Sequence, residues 1–156
     1  MTTVDKKHLL DLLSESHTAN MSLLEGNDME VSVHADSDWQ IRDIIWHIAV
    51  WDRQVTKSIR AFKDGGEYAI PALKIDEFNE RAFQEGRKLT KEQVIEEYEQ
   101  ARGDFKASVQ ELPQEKYSED LLYPWGDERG DISQLVEYLV EHDAEHRDEI
   151  AAALAS

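Results

Sequence analysis

Between Trp39 and Lys63 the chain carries neither glycine nor proline, and Ile41, Ile44, Ile45, Ile48, Trp51, Val55, Ile59 and Phe62 recur at intervals of three and four. That spacing lays one apolar stripe along a helix of about six turns, too long to be covered by anything but other helices. Ser37 and Gln40 stand at the separation used for reciprocal capping, and Gly65-Gly66 supply the stop, so the segment reads as a helix from Ser37 to Lys63. The rest of the chain repeats the pattern. A first helix from Val4 to Glu25 carries Leu9, Leu10, Leu12, Leu13, Met21 and Leu24 and ends at Gly26-Asn27. A shorter one spans Ile75 to Glu85 and closes at Gly86. Thr90 and Gln93 cap a helix that runs through Val94, Tyr98, Phe105 and Val109 to Leu112, before Pro113. Asp131 and Gln134 cap a last helix carrying Leu135, Leu139, Ile150 and Leu154. Between these, Val31-Ser32-Val33 is a short extended piece without a sheet, and Gln114 to Gly130, with Tyr123-Pro124-Trp125-Gly126, is irregular. The expectation is an all-α four-helix bundle with an additional short helix, as a single domain over residues 1–156.

Charge narrows the ligands. The chain has 34 acidic against 17 basic side chains, a formal net charge of −17, yet 40% of it is apolar, enough to bury a core rather than remain an acidic disordered tail. Such a surface repels phosphate backbones and anionic headgroups, which argues against nucleic acid and against an electrostatic membrane anchor. Ligands are expected to be neutral, cationic or held by a metal. No cysteine is present, so thiolate zinc sites, disulfides and a cysteine nucleophile are excluded and any transition-metal site must use histidine and carboxylate. MTTVDKKHLL has no apolar signal core, and the apolar stretches around His47 are too short to span a bilayer, so a cytoplasmic location is expected.

Position sorts the six histidines. His8 lies among charged neighbours, His34 sits in a loop, and His17 follows Leu13 by one turn as an interior or boundary residue. His142 and His146 are different: they stand i, i+4 on one helical face and continue the stripe from Leu135 and Leu139 to Ile150, so both rings point inward. Two inward imidazoles need partners, either hydrogen bonds to a neighbouring helix or a shared metal ion. His47, at the edge of the stripe on the second helix, is placed to oppose them and to complete a three-histidine face that leaves positions open to water or substrate. Asp52 falls on the apolar stripe and Glu149 lies three residues beyond His146; each is a candidate proton-moving or orienting group, with an ion pair to Arg147 or Arg42 as the plain alternative for Asp52 and a solvent border for Glu149. Trp51 and Trp125 are candidate pocket walls, Trp125 more so because it lies in a loop. There is no glycine-rich phosphate loop, Gly-x-Ser-x-Gly turn or His-Glu-x-x-His motif.

The run Trp39-Gln40-Ile41-Arg42-Asp43-Ile44-Ile45-Trp46-His47-Ile48-Ala49-Val50-Trp51-Asp52, together with His142-Asp143-Ala144-Glu145-His146-Arg147, resembles the DinB-like superfamily, the damage-inducible or YfiT-like metal-dependent hydrolases. The resemblance covers nearly the whole chain, and Ile75 to Glu80 with the ending Glu141 to Ile150 looks most similar to the branch containing colibactin self-protection proteins. It implies an up-down-down-up bundle, often a homodimer, with a zinc or nickel ion held by three histidines that map to His47, His142 and His146. It further implies a metal-dependent enzyme acting on a small electrophilic molecule, either a hydrolase or a thiol S-transferase with a low-molecular-weight thiol such as mycothiol or bacillithiol as cosubstrate. The alternative it carries is a non-catalytic sequestration or self-protection protein whose metal site is structural or vestigial. A shared fold does not transfer a reaction.

Overall fold

The long stripe of the second helix finds its cover in a neighbour running the same way. A computed structural model describes residues 6–34 and 38–155, and its helices are α1 (Lys6–Leu24), α2 (Ile41–Lys63), α3 (Ile75–Gly86), α4 (Lys91–Glu111) and α5 (Ile132–Ala155). Pairings along the helices fix their directions. Arg42 donates to the Leu89 carbonyl, Arg102 donates to Asp52, and Lys116 donates to the Phe62 carbonyl, so α2 and α4 are parallel. Lys6 reaches the Gln110 carbonyl while Asn20 reaches the Tyr98 hydroxyl, so α1 runs against α4. Ser16 meets Asp143 and Asn20 meets Arg147, so α1 and α5 are parallel. The order is up-down-down-up, with α3 as the short addition, in agreement with the sequence reading.

Helix ends follow the capping chemistry with one shift. Thr90 Oγ1 accepts from the Gln93 N–H at 3.1 Å while Gln93 Oε1 accepts from the Thr90 N–H at 2.8 Å. Asp131 and Gln134 make the same exchange at 2.9 and 3.4 Å. At α2 the cap lies three residues later than expected: Asp43 accepts from the Gln40 N–H at 2.8 Å and Ile41 is the first helical residue. Ser37, the expected cap, and Val4, the expected start of α1, lie outside the described residues. Gly103, which composition alone would make a breaker, sits inside α4 on its exposed face.

The irregular stretch before α5 contains a two-residue antiparallel hairpin, β1 (Leu121–Leu122) and β2 (Arg129–Gly130), which the residue pattern did not reveal. Its tip carries Gly126 at φ +87°, with Ile70 O only 2.4 Å from where a Cβ would sit, so the turn both needs the left-handed region and lies hard against the segment before α3. Ile70 N–H donates to Pro124 O at 2.8 Å, fastening that segment to the hairpin. Val31 and Val33 are bends on either side of Ser32, which makes a single isolated bridge to Gln40, so this piece forms no sheet.

The bundle interior is divided. One apolar cluster gathers Leu9, Leu13, Val55, Ile59, Phe105, Val109 and Leu135. The other gathers Leu24, Ile41, Ile44, Ile45, Val94, Tyr98 and Ile150. Ser16, Asn20, Asp52, Arg102 and Asp143 are all buried, and along each of their helices they fall between the residues of the two clusters. They form a polar layer across the bundle.

Candidate metal centre

Two helices supply the three imidazoles. His142 and His146 stand one turn apart on α5, and their Nε2 atoms are 3.1 Å from each other. His47 of α2 faces both rings edge-on, with centroids 5.5 Å from each. One ligand nitrogen from each of the three lies within 4.8 Å of the others. Two nitrogens at about 2.0–2.1 Å from one divalent ion stand about 2.9 Å apart at a right angle and about 3.4 Å apart at a tetrahedral angle. The His142–His146 separation falls between those limits. A divalent transition ion therefore suits this donor set: three imidazoles, half-buried, converging from one side and with no basic side chain among them.

The environment disfavours the protonated form of His47 and of His146, the form that cannot ligate a metal. Burial pushes the His47 pKa down, the nearby His146 and His142 rings add to this, and it reaches about 3, so its ring is neutral at pH 7. Burial likewise lowers His146, again reinforced by His142 and opposed by Glu149 and Asp143. Glu149 places Oε1 3.2 Å from His146 Nδ1 and Oε2 2.9 Å from His34 Nε2. Its carboxylate thus stands beside the His146 nitrogen that faces away from His142, as a close contact without hydrogen-bond geometry. The His34 contact was not foreseen from the sequence. His8 is exposed as expected, and His17 is half-buried against Tyr98, with ring centroids 5.1 Å apart.

Beside the histidines lies a cavity of about 360 Å³ lined by His47, His142, Trp51, Trp125, Ile75, Asn79, Glu128, Tyr138 and Leu139. Both tryptophans expected at the pocket are in its wall. Trp51 Nε1–H donates to Asn79 Oδ1 at 2.8 Å, which joins α2 to α3 at the rim, and Trp125 is carried there by the hairpin turn. Glu128, Tyr138 and Asn79 were missed. Tyr138 had a readable signal, since it precedes His142 by four residues on the same helical face.

Asp52 corrects the sequence reading twice. Its partner is neither Arg147 nor Arg42 but Arg102 of α4, which donates from Nε to Oδ2 at 2.7 Å and from Nη2 to Oδ1 at 3.2 Å. Arg147 instead donates to Ser16 Oγ at 2.9 Å and Asn20 Oδ1 at 2.8 Å, and Arg42 to backbone carbonyls at the end of α3. Asp52 is also fully buried and absent from the cavity wall, so proton transfer to a ligand there is out of its reach. Arg102 carries a second carboxylate, Asp143, 2.9 Å from its Nη2. Burial disfavours the guanidinium charge, but Asp52 and Asp143 more than offset this and raise its pKa above the ordinary arginine value. Asp143, between the two α5 histidines, also accepts from Ser16 Oγ at 2.7 Å.

The structure is a helical bundle with a candidate three-histidine centre beside a cavity, and the sequence comparison gives its family. The chain belongs to the DinB superfamily, whose family profile matches residues 8–150. Among solved structures it is similar to a mycothiol-dependent maleylpyruvate isomerase at 17% identity and a TM-score of 0.77, and to a histidine-to-alanine mutant of that enzyme at 16% identity and the same TM-score. The match covers 96% of this chain and 63% of those chains, so the protein spans less than two thirds of the solved relatives' length. No curated protein sequence matches the chain. No described helix is long and apolar enough to cross a membrane.

Proposed function

We propose that the protein is a metal-dependent enzyme that joins a low-molecular-weight thiol, or water, to a small electrophile, with His47, His142 and His146 as the metal ligands. The observation that carries this reading is the convergence of three imidazoles beside an apolar cavity that His47 and His142 line. Zinc or nickel held by these rings supplies a Lewis acid that lowers the pKa of a thiol or water and polarises an electrophile. Glu149, 3.2 Å from His146 Nδ1, is the group placed to orient that ring once it ligates, while Trp51 and Trp125 wall the cavity and limit water. The thiol arm draws support from the solved relatives, which are named for a mycothiol-dependent isomerisation. The cytoplasm, where such thiols stay reduced, is the setting we assign, and a homodimer is the assembly, testable by light scattering at micromolar concentration.

The test is metal content followed by turnover. Protein purified without a histidine tag and incubated with zinc or nickel is expected to hold close to one equivalent; less than about a tenth defeats the reading. His47→Ala is expected to keep its fold while losing turnover in a screen of electrophiles with water or a low-molecular-weight thiol. Folding that depends on metal, with no turnover by the intact protein in that screen, would make the site structural instead.

A further inference from the structure

We infer that the cavity takes a small organic cation, an ammonium group with an apolar flank, whose charge rests in the corner formed by Trp125 and Tyr138 against the Glu128 carboxylate. The inference rests on the cavity being a substrate site and narrows the substrate class. Among the described residues that line the cavity, Glu128 is the one acidic side chain and there is no lysine or arginine. Its carboxylate is held in place: Trp125 Nε1–H donates to Oε1 at 3.0 Å and the Tyr138 hydroxyl donates to Oε2 at 3.2 Å. The two rings stand nearly perpendicular, at 81° with centroids 5.9 Å apart, so they make two walls of a corner rather than a closed stack. Tyr123 buttresses both from behind, at 5.3 Å from Trp125 and 6.4 Å from Tyr138.

Two aromatic walls and a fixed carboxylate suit a cation and reject an anion. The ring quadrupoles present negative faces to a bound positive group, and the carboxylate adds an opposite charge. Nearby cations are engaged elsewhere. Arg129 is paired with Glu67 at 2.6 Å and Asp120 at 2.5 Å, and Lys74 lies 3.8 Å from Glu77; neither lines the cavity. The net charge of −17 acts in the same direction by raising the local concentration of cations. At about 360 Å³ the cavity lies near the lower end of the range for small-molecule sites, which limits the cation to a compact one.

Ligand-observed NMR titration of the full chain tests this without turnover, in metal-loaded and chelated protein and without thiol. The probes are benzyltrimethylammonium, choline, the uncharged choline isostere 3,3-dimethyl-1-butanol, and benzenesulfonate; the quaternary groups cannot ligate a metal. Choline is expected to bind about tenfold more tightly than its isostere, and benzenesulfonate not at all. Glu128→Gln is expected to erase the preference for choline, whereas Glu115→Gln, an exposed acid outside the cavity wall, leaves it intact. Equal affinity for choline and its isostere in the unaltered protein overturns the inference whatever the variants do. So does an absence of binding by both quaternary probes, or an equal effect of the two variants. A protein that prefers cations yet turns over no electrophile with either thiol or water loses only the enzymatic reading; one that turns over uncharged electrophiles without preferring cations loses only this inference.

Discussion

Replacing Arg102 with methionine should be among the most damaging single changes in the chain, and its cost should depend on pH. The guanidinium is 1% exposed and lies 2.7 Å from the fully buried Asp52 carboxylate and 2.9 Å from that of Asp143, itself 1% exposed. Removing one partner of a buried ion pair typically costs about 3–5 kcal/mol, because the remaining charge is left without compensation. Here two carboxylates are left facing each other, which puts the expected loss at pH 8 at the upper part of that range, a large share of the roughly 5–15 kcal/mol that holds an ordinary domain together. Burial already raises Asp52 to about 6, with Arg102 pulling the other way and Asp143 reinforcing the rise. A carboxyl whose folded pKa lies above its unfolded value of about 3.9 binds more protons in the folded state, so its contribution to stability falls as pH rises through that interval. Without Arg102 the folded pKa rises further, and the gap between Arg102→Met and the unaltered protein should narrow from pH 8 to pH 5 as one carboxyl takes up a proton. Urea unfolding followed by far-ultraviolet circular dichroism at both pH values measures this. A loss under about 1 kcal/mol at pH 8, or an equal loss at both, would refute the reasoning; if the variant is unfolded at pH 8, recovery of helix at pH 5 is the expected outcome. Arg102→Lys, which keeps the charge but not the planar fork, should lose less.

Other changes separate the site from the scaffold. His142→Ala should weaken zinc binding by more than about 100-fold in a competition titration, and Glu149→Gln by about 10-fold or more, since outer partners of ligating histidines typically account for 10–100-fold. Gly103→Ala, with open space around the added methyl group on the exposed face of α4, should raise stability by about 0.5–1 kcal/mol in the same urea assay. Gly126→Ala should cost more than about 2 kcal/mol, because its φ of +87° and the Ile70 carbonyl both oppose a Cβ, and the displaced turn should alter Trp125 fluorescence.

The bundle was legible because its information is local: a three-and-four repeat such as Ile41 to Phe62 encodes a buried face, and Thr90–Gln93 or Asp131–Gln134 encode an end, without reference to the rest of the chain. The hairpin at 121–130 was not legible, since a strand of two residues has no periodicity and is held by a glycine turn and by Arg129 contacts to Glu67 and Asp120. The i, i+4 spacing marked His142 and His146 as a pair, whereas His47 showed only its place at the edge of the α2 stripe, from which bundle packing allowed a position opposite them without fixing it. Asp52 shows where that reasoning stops. Its place on the stripe gave its burial, but its partner depended on which helix lies alongside α2 and in which direction. Arg102 sits four residues after Tyr98 and three before Phe105, and Asp143 four after Leu139, so both are in register with apolar stripes. Charged residues in such register were the signal for the polar layer, and Ser16 and Asn20, which continue the line from Leu9 and Leu13 to Leu24, carried it too.

That layer bears on why the histidines can converge. The ligand-bearing helices pack chiefly on other partners, α2 on α4 and α5 on α1, and touch each other little, which leaves room for the cavity beside His47 and His142. Apolar packing between α2 and α5 therefore cannot by itself fix the distance between His47 and the pair on α5. Arg102 spans the gap from α4, with Asp52 of α2 on one side and Asp143 of α5 on the other. Asp143 occupies the turn between His142 and His146, and Asp52 lies five residues, about 7.5 Å of helix, beyond His47. An apolar replacement of the three charges would hold the layer by non-directional contacts, which oppose a slide of one helix past another through shape alone. A planar guanidinium held by two carboxylates has directional hydrogen bonds that do not survive such a slide. If the three imidazoles share a metal ion, as proposed, the expense of burying charge is matched to a need for directional bonds between two helices that are not each other's principal neighbours.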